Sequence, residues 1–169
     1  MLRGLNLLST VKPVHHKKSQ LITVPRELVY RTVLDVPSYC RFLPWCNQSA
    51  WIDSNEPCDL QAIRGQRLAR LSVDFKIFKE SYVSKVTFEA HNYIKAVAAD
   101  SDLFDNLDTV WEFKEQGDST LIDFYITFNF RRDLYQTISS SLSHMLAKKM
   151  LDHFIKECHL RHKSDTFLH

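Results

Sequence analysis

The sequence predicts an α+β domain, a curved antiparallel sheet of about six to seven strands wrapped around one long C-terminal helix. Three patterns carry that expectation. Apolar residues recur at every second position through most of the segment from Trp45 to Phe130, the period of a strand with one wet and one dry face. From about Arg132 to His162 there is no Pro or Gly, and Leu134, Ile138, Leu142, Met145, Leu146, Met150 and Phe154 fall at helical spacing. That makes an amphipathic helix roughly 40 Å long at 1.5 Å per residue. Between the first strand and the rest, Pro25, Pro37 and Pro44 bracket two short helical stretches.

The elements follow in order. Ser19 to Val24 alternates and stops at Pro25, which suits the first position of a helix, with Glu27 in its favourable first turn. Leu28, Val29, Thr32 and Val33 give that helix one apolar face. Pro37 halts it and starts a second short helix through Tyr39, Phe42 and Leu43, ended by Pro44, and Trp45–Cys46 opens the next strand. Leu71, Val73, Phe75 and Ile77 then share one face, as do Val86 with Phe88, Ile94 with Ala96 and Ala98, and Thr109 with Trp111 and Phe113. After the Gly117–Asp118 turn, Ile122, Phe124, Ile126, Phe128 and Phe130 do the same. An ordinary α+β domain with a solid core fits this pattern as well.

Composition removes several function classes. The three glycines, Gly4, Gly65 and Gly117, lie far apart, so no glycine loop exists to cradle a phosphate or dinucleotide. No apolar run reaches the ~18–20 residues of a spanning helix. Of 22 Lys and Arg, five (Arg3, Lys12, Lys17, Lys18, Arg26) precede the first acid, Glu27, and the remainder is slightly acidic. Nucleic acid is therefore not an expected partner. The basic start Met-Leu-Arg-Gly-Leu-Asn-Leu-Leu-Ser-Thr reads as a short mitochondrial targeting peptide or as a plain basic tail. Cys40, Cys46, Cys58 and Cys158 have no zinc-ligand spacing, and no metal is expected. Neither GxSxG nor HExxH occurs. Asp100, Asp102, Asp105 and Asp108 read as a solvated turn.

One stretch is more specific. Val29 to Cys46 runs from an apolar helix into Asp35-Val36-Pro37-Ser38-Tyr39 and then Phe42-Leu43-Pro44-Trp45-Cys46. Tyr82-Val83-Ser84-Lys85-Val86-Thr87 follows, then Leu103-Phe104-Asp105-Asn106-Leu107 before Trp111-Glu112-Phe113, and finally Phe124 to Arg131 ahead of the long helix. In order and spacing this resembles the mitochondrial coenzyme Q-binding protein family, a branch of the START-like, polyketide-cyclase-like helix-grip fold. The match covers about residues 19–163, leaving 1–18 as a targeting peptide or disordered arm and 164–169 as a tail. At Arg131-Arg132-Asp133 the chain departs from the family, whose members tend to show arginine, a small residue and often proline.

Residue by residue the apolar set reads as core; the fold implied by the resemblance turns it towards a ligand. The resemblance implies ubiquinone as bound ligand, with no catalytic cofactor and no catalysis. A polyisoprenoid tail gains ~0.8 kcal/mol per buried CH₂, so its carrier needs shelter rather than reactive groups. The candidate cavity wall is Leu71, Val73, Phe75, Trp111, Phe113, Phe124, Ile126 and Phe128 from the sheet, with Leu142, Met145 and Met150 from the helix. Trp45 either stands at the rim or packs the short helices onto the sheet. Phe104 and Leu107 belong either to a plain connection or to an apolar gate. The resemblance further implies a peripheral place on the matrix side of the mitochondrial inner membrane, with Phe104, Arg131 and Arg132 meeting anionic, cardiolipin-like lipid. Quinone-synthesis or respiratory complexes are the candidate protein partners. Two other classes remain: an assembly factor without a small-molecule pocket, and a cyclase- or hydrolase-type enzyme on the same scaffold.

Overall fold

In the computed structural model, residues 13–53, 62–75, 79–102, 104–131 and 140–167 are described. Seven strands form one antiparallel sheet in the order β1-β7-β6-β5-β4-β3-β2. They are β1 (Val14–Ile22), β2 (Cys46–Trp51), β3 (Arg64–Asp74), β4 (Lys79–Glu89), β5 (Tyr93–Asp100), β6 (Phe104–Gln116) and β7 (Ser119–Phe130). Helix α1 (Arg26–Leu34), a 3₁₀ turn (Val36–Ser38) and the single-turn α2 (Tyr39–Phe42) separate β1 from β2, and α3 (Ser140–Phe167) ends the chain. This is the expected α+β arrangement. The sheet is a meander from β2 to β7, and β1 returns to pair with β7, Val14 opposite Phe128 and Ile22 opposite Thr120.

The strands exist because each has one face to bury. Along β7, Ile122, Phe124, Ile126 and Phe128 are all at most 4% exposed, and they line up with Phe113, Trp111, Thr109 and Leu107 of β6. Three register shifts interrupt the ladders, at Cys46/Gln48, Val83/Ser84 and Phe104/Asn106. Such irregularities bend a strand and raise its twist. The β6–β7 turn needs Gly117, whose φ of +60° is left-handed. Gly65 answers a different need: a Cβ there would meet the Phe88 ring at 2.5 Å, because Gly65 lies directly opposite Phe88 in the ladder.

Helix α1 starts at Pro25, whose carbonyl accepts from the Val29 amide at 3.1 Å. It buries Val29, Tyr30, Val33 and Leu34 against the sheet and α3. Buried hydroxyls are tied to carbonyls: Thr32 Oγ1 donates to Leu28 O at 2.7 Å and Thr120 Oγ1 to Val24 O at 2.7 Å. Arg161 of α3 reaches back to Asp35 at 2.9 Å and to Glu157 at 2.8 Å. That pair fastens the end of α1 to the last helix.

Two boundaries differ from the sequence reading. β1 begins at Val14 rather than Ser19, so Val14 to Lys18, assigned to the basic arm, is paired strand. The reason is its edge position, where alternate residues His15 and Lys17 face solvent and no apolar alternation announces the strand. Helix α3 continues to Phe167, past the expected end near 163.

On the outer face of β7, Asp123 is 7% exposed and accepts from Lys114 Nζ at 2.7 Å and from the Ser19 hydroxyl. The Lys114 hydrogen bond, with Ser19 second, holds its carboxyl below the usual carboxylate value. A depressed carboxylate contributes stability above its unfolded pKa of about 3.9, and that contribution is lost as pH falls through the folded value. Asp123→Asn is expected to cost roughly 1–3 kcal/mol at pH 7 and to flatten the acid limb of stability below about pH 4. Urea melts at pH 7 and pH 3 check this; equal losses at both would show that the charge contributes nothing.

Candidate functional site

Between the inner face of the sheet, the short helices and α3 lies a partly open cavity of about 80 Å³. Its floor comes from alternate residues of four strands: Leu71 and Val73 of β3, Tyr82, Ser84 and Val86 of β4, Ile94 and Ala96 of β5, and Leu107, Thr109 and Trp111 of β6. Val36, Tyr39 and Leu43 close it on one side, and Met150 and Phe154 of α3 on the other. A second void of about 50 Å³ lies next to it, walled by Phe75, Phe104, Ile126, Phe128, Phe130, Leu146 and Ala147. Trp45, Val73, Tyr82, Leu107 and Met150 border both, so these five side chains form the partition. Each void is smaller than the ~300 Å³ of a typical ligand pocket.

The walls are held by ring contacts. Trp111 packs on Phe124 with centroids 4.3 Å apart and on Phe154 at 4.8 Å. Trp45 stacks over Phe75 at 6.5 Å and meets the His153 ring edge-on at 5.4 Å. Among the described residues, no Asp, Glu, His, Lys or Arg lines either void. Burial pushes the Tyr39 and Tyr82 phenols up and the Cys46 thiol up to about 11. At neutral pH these groups are protonated, so the cavity is uncharged. A larger concavity lies elsewhere, an open surface groove of about 620 Å³ between α2 and α3 that includes Arg41, Asn47, His153 and Lys156. It is polar and open to solvent, and it shares only Leu43 and Cys46 with the first cavity.

Ten of the sequence-predicted positions meet at the two voids: Leu71, Val73, Phe75, Trp111, Ile126, Phe128, Met150, Trp45, Phe104 and Leu107. Others do not. Phe113 is buried against Tyr30 at 6.1 Å and Phe124 behind Trp111, so both are core. Met145 is 42% exposed; the buried stripe of α3 is Ala147, Leu151, Phe154 and Cys158, which turns Met145 outward. The Leu142 side chain and Arg132 lie outside the described residues, as does Leu103. Phe104 is no surface gate. It opens β6, is 8% exposed and stacks on Phe130 at 5.2 Å, because the irregularity between Phe104 and Asn106 turns it inward. Arg131 is exposed but sits 3.5 Å from Asp105 and 3.8 Å from Asp102. Among the described residues this corner therefore pairs its one arginine with acids and keeps Phe104 inside. The wall residues Tyr82, Ser84, Ala96 and Thr109 were missed. Extending the Val86–Phe88 alternation two steps towards the N-terminus would have found Tyr82 and Ser84.

Comparison with known proteins gives this cavity its context. Residues 22–155 match the family described as polyketide cyclase / dehydrase and lipid transport. The chain belongs to that family. The coenzyme Q-binding protein COQ10 homolog B, mitochondrial, of Xenopus laevis is 29% identical over 86% of the chain. The coenzyme Q-binding protein COQ10, mitochondrial, of Dictyostelium discoideum is 27% identical over 88%. The aligned regions span 58% and 71% of those two proteins' lengths. These matches bear out the resemblance to the coenzyme Q-binding family. Among solved structures, the Zhui aromatase/cyclase of Streptomyces sp. R1128 superposes with a TM-score of 0.73 at 14% identity, covering 89% of this chain and 96% of that one. At that identity the likeness concerns the fold.

Proposed function

We propose that this protein binds ubiquinone in the interior cavity without acting on it chemically, and delivers it for respiratory electron transport and quinone synthesis in mitochondria. One observation supports this most: a mainly apolar interior cavity with no charged side chain among its described lining residues, in a chain related to proteins named coenzyme Q-binding. A cyclase or hydrolase needs groups that move protons near neutral pH; among the described residues no Asp, Glu, His or Lys lines the cavity, and burial raises its Tyr39 and Tyr82 phenols and its Cys46 thiol away from that range. The relatives' mitochondrial names and the acid-free basic start point to the same compartment. No helix among the described residues is long and apolar enough to cross a membrane, so contact with a bilayer through the described helices is peripheral.

The modest volume favours a second reading, an assembly factor for a mitochondrial complex that carries no small ligand. The two differ in one result. Protein purified from a quinone-producing host should yield ubiquinone on solvent extraction, identified by mass and by an ultraviolet difference spectrum on borohydride reduction. Protein that emerges empty and takes up none from liposomes would overturn the ligand reading and leave the assembly factor.

A further inference from the structure

The cavity is not uniformly apolar: three hydroxyls stand on its sheet wall. Tyr82 and Ser84 of β4 and Thr109 of β6 all line it, and among the described residues their side-chain oxygens have no hydrogen-bond partner. The hydroxyls of Thr32, Thr120 and Tyr39, by contrast, donate to Leu28 O, Val24 O and Val33 O. Ser84 is only 5% exposed.

The surrounding ladder leaves room beside Ser84 and Thr109. Ser84 lies opposite Ala69 on one side and Ala98 on the other, and Ala96 lies between Val86 and Thr109. Small side chains thus flank Ser84 on both sides and Thr109 on one, while Leu71 stands opposite Tyr82 and Ile126 opposite Thr109. The register of β4 against β5 shifts at Val83/Ser84, and irregularities of this kind re-aim side chains next to binding sites. Burial keeps the Tyr82 phenol protonated, so it has a proton to donate at neutral pH.

We infer that Tyr82, Ser84 and Thr109 form a polar cradle that orients the oxygenated ring of the ligand, with Tyr82 donating to a ring carbonyl. The cradle rests on the ubiquinone reading and adds to it which end of the ligand lies deepest and which residues select an oxygenated ring over a plain hydrocarbon. A hydroxyl both donates and accepts. The same three groups therefore serve the quinone, through its carbonyls, and the quinol, through its O–H groups. Tyr82 also borders the second void, so a ring held at the cradle directs its tail towards Phe104, Phe128 and Met150.

The test compares decylubiquinone with decylbenzene, which keeps the alkyl chain and loses the ring oxygens. Wild type should prefer decylubiquinone, and Tyr82→Phe should lose roughly five- to tenfold of that preference, the effect of one net hydrogen bond. In infrared difference spectra with carbonyl-labelled quinone, the downshifted C=O band of the wild type should return towards its free position in the variant. Thr109→Val and Ser84→Ala, each checked by thermal melting, serve if Tyr82→Phe does not fold. Wild type that binds no decylubiquinone would overturn the ubiquinone reading. Wild type that binds it, with preference and carbonyl band unchanged in all folded variants, would overturn the cradle alone.

Discussion

Phe154→Ala is expected to be among the most destabilising single changes in this protein, costing about 3–5 kcal/mol. Phe154 is 3% exposed, and its ring is the joint through which α3 holds the site. It meets Tyr39 at 5.0 Å, Phe42 at 5.1 Å and Trp111 at 4.8 Å, all edge-on. Each such pair adds about 0.5–1.5 kcal/mol beyond the area it buries. The strand elements keep their own ladders, so the loss falls on docking of α3 and α2. A melting point lower by roughly 10 °C is expected for a chain of this size, read by calorimetry, with Phe154→Leu recovering most of it. A variant that melts like wild type would mean that α3 is held mainly elsewhere, by Leu151 and the Arg161–Asp35 pair.

The sheet was legible because its two faces differ so sharply. Asp123 beside Phe124, Lys114 beside Phe113 and Lys85 beside Val86 leave little doubt about period or direction, and the strands from β3 to β7 follow. The failures have local causes. β1 is half hidden because an edge strand with solvent on one side uses His15 and Lys17 where a central strand would use apolar residues. The helix stripe was drawn through the largest apolar side chains, so Met145 was included and Ala147 and Cys158 were left out. Where a helix lies close to a sheet, small residues take the contact, and both are fully buried. Phe104 was misplaced because a one-residue irregularity inverts which side a residue faces, and composition does not announce it. The hydroxyls of Tyr82 and Ser84 escaped notice for another reason. Sorting strand residues by apolarity assigns polar ones to solvent, yet a ligand site keeps a few of them inside.

The other large effect is expected from filling the cavity rather than emptying it. Ala96→Leu adds three carbons at the centre of the floor, between Thr109 and Val86, into a space of about 80 Å³. If the new side chain fits, it gains about 2 kcal/mol from burial; strain from overpacking takes back about 1–3 kcal/mol. Net stability should therefore stay within about 2 kcal/mol of wild type, while quinone retention falls at least tenfold because the ring has lost its space. Val97→Leu, one residue along on the opposite face of β5, adds bulk outside the cavity and should leave retention alone. Together the two separate occupancy from stability, since a plain core position would change only the melt. Quinone retained at the wild-type level by a well-folded Ala96→Leu protein would place the ligand outside this cavity, and the groove beside Arg41 and Lys156 would then be the surface to alter next.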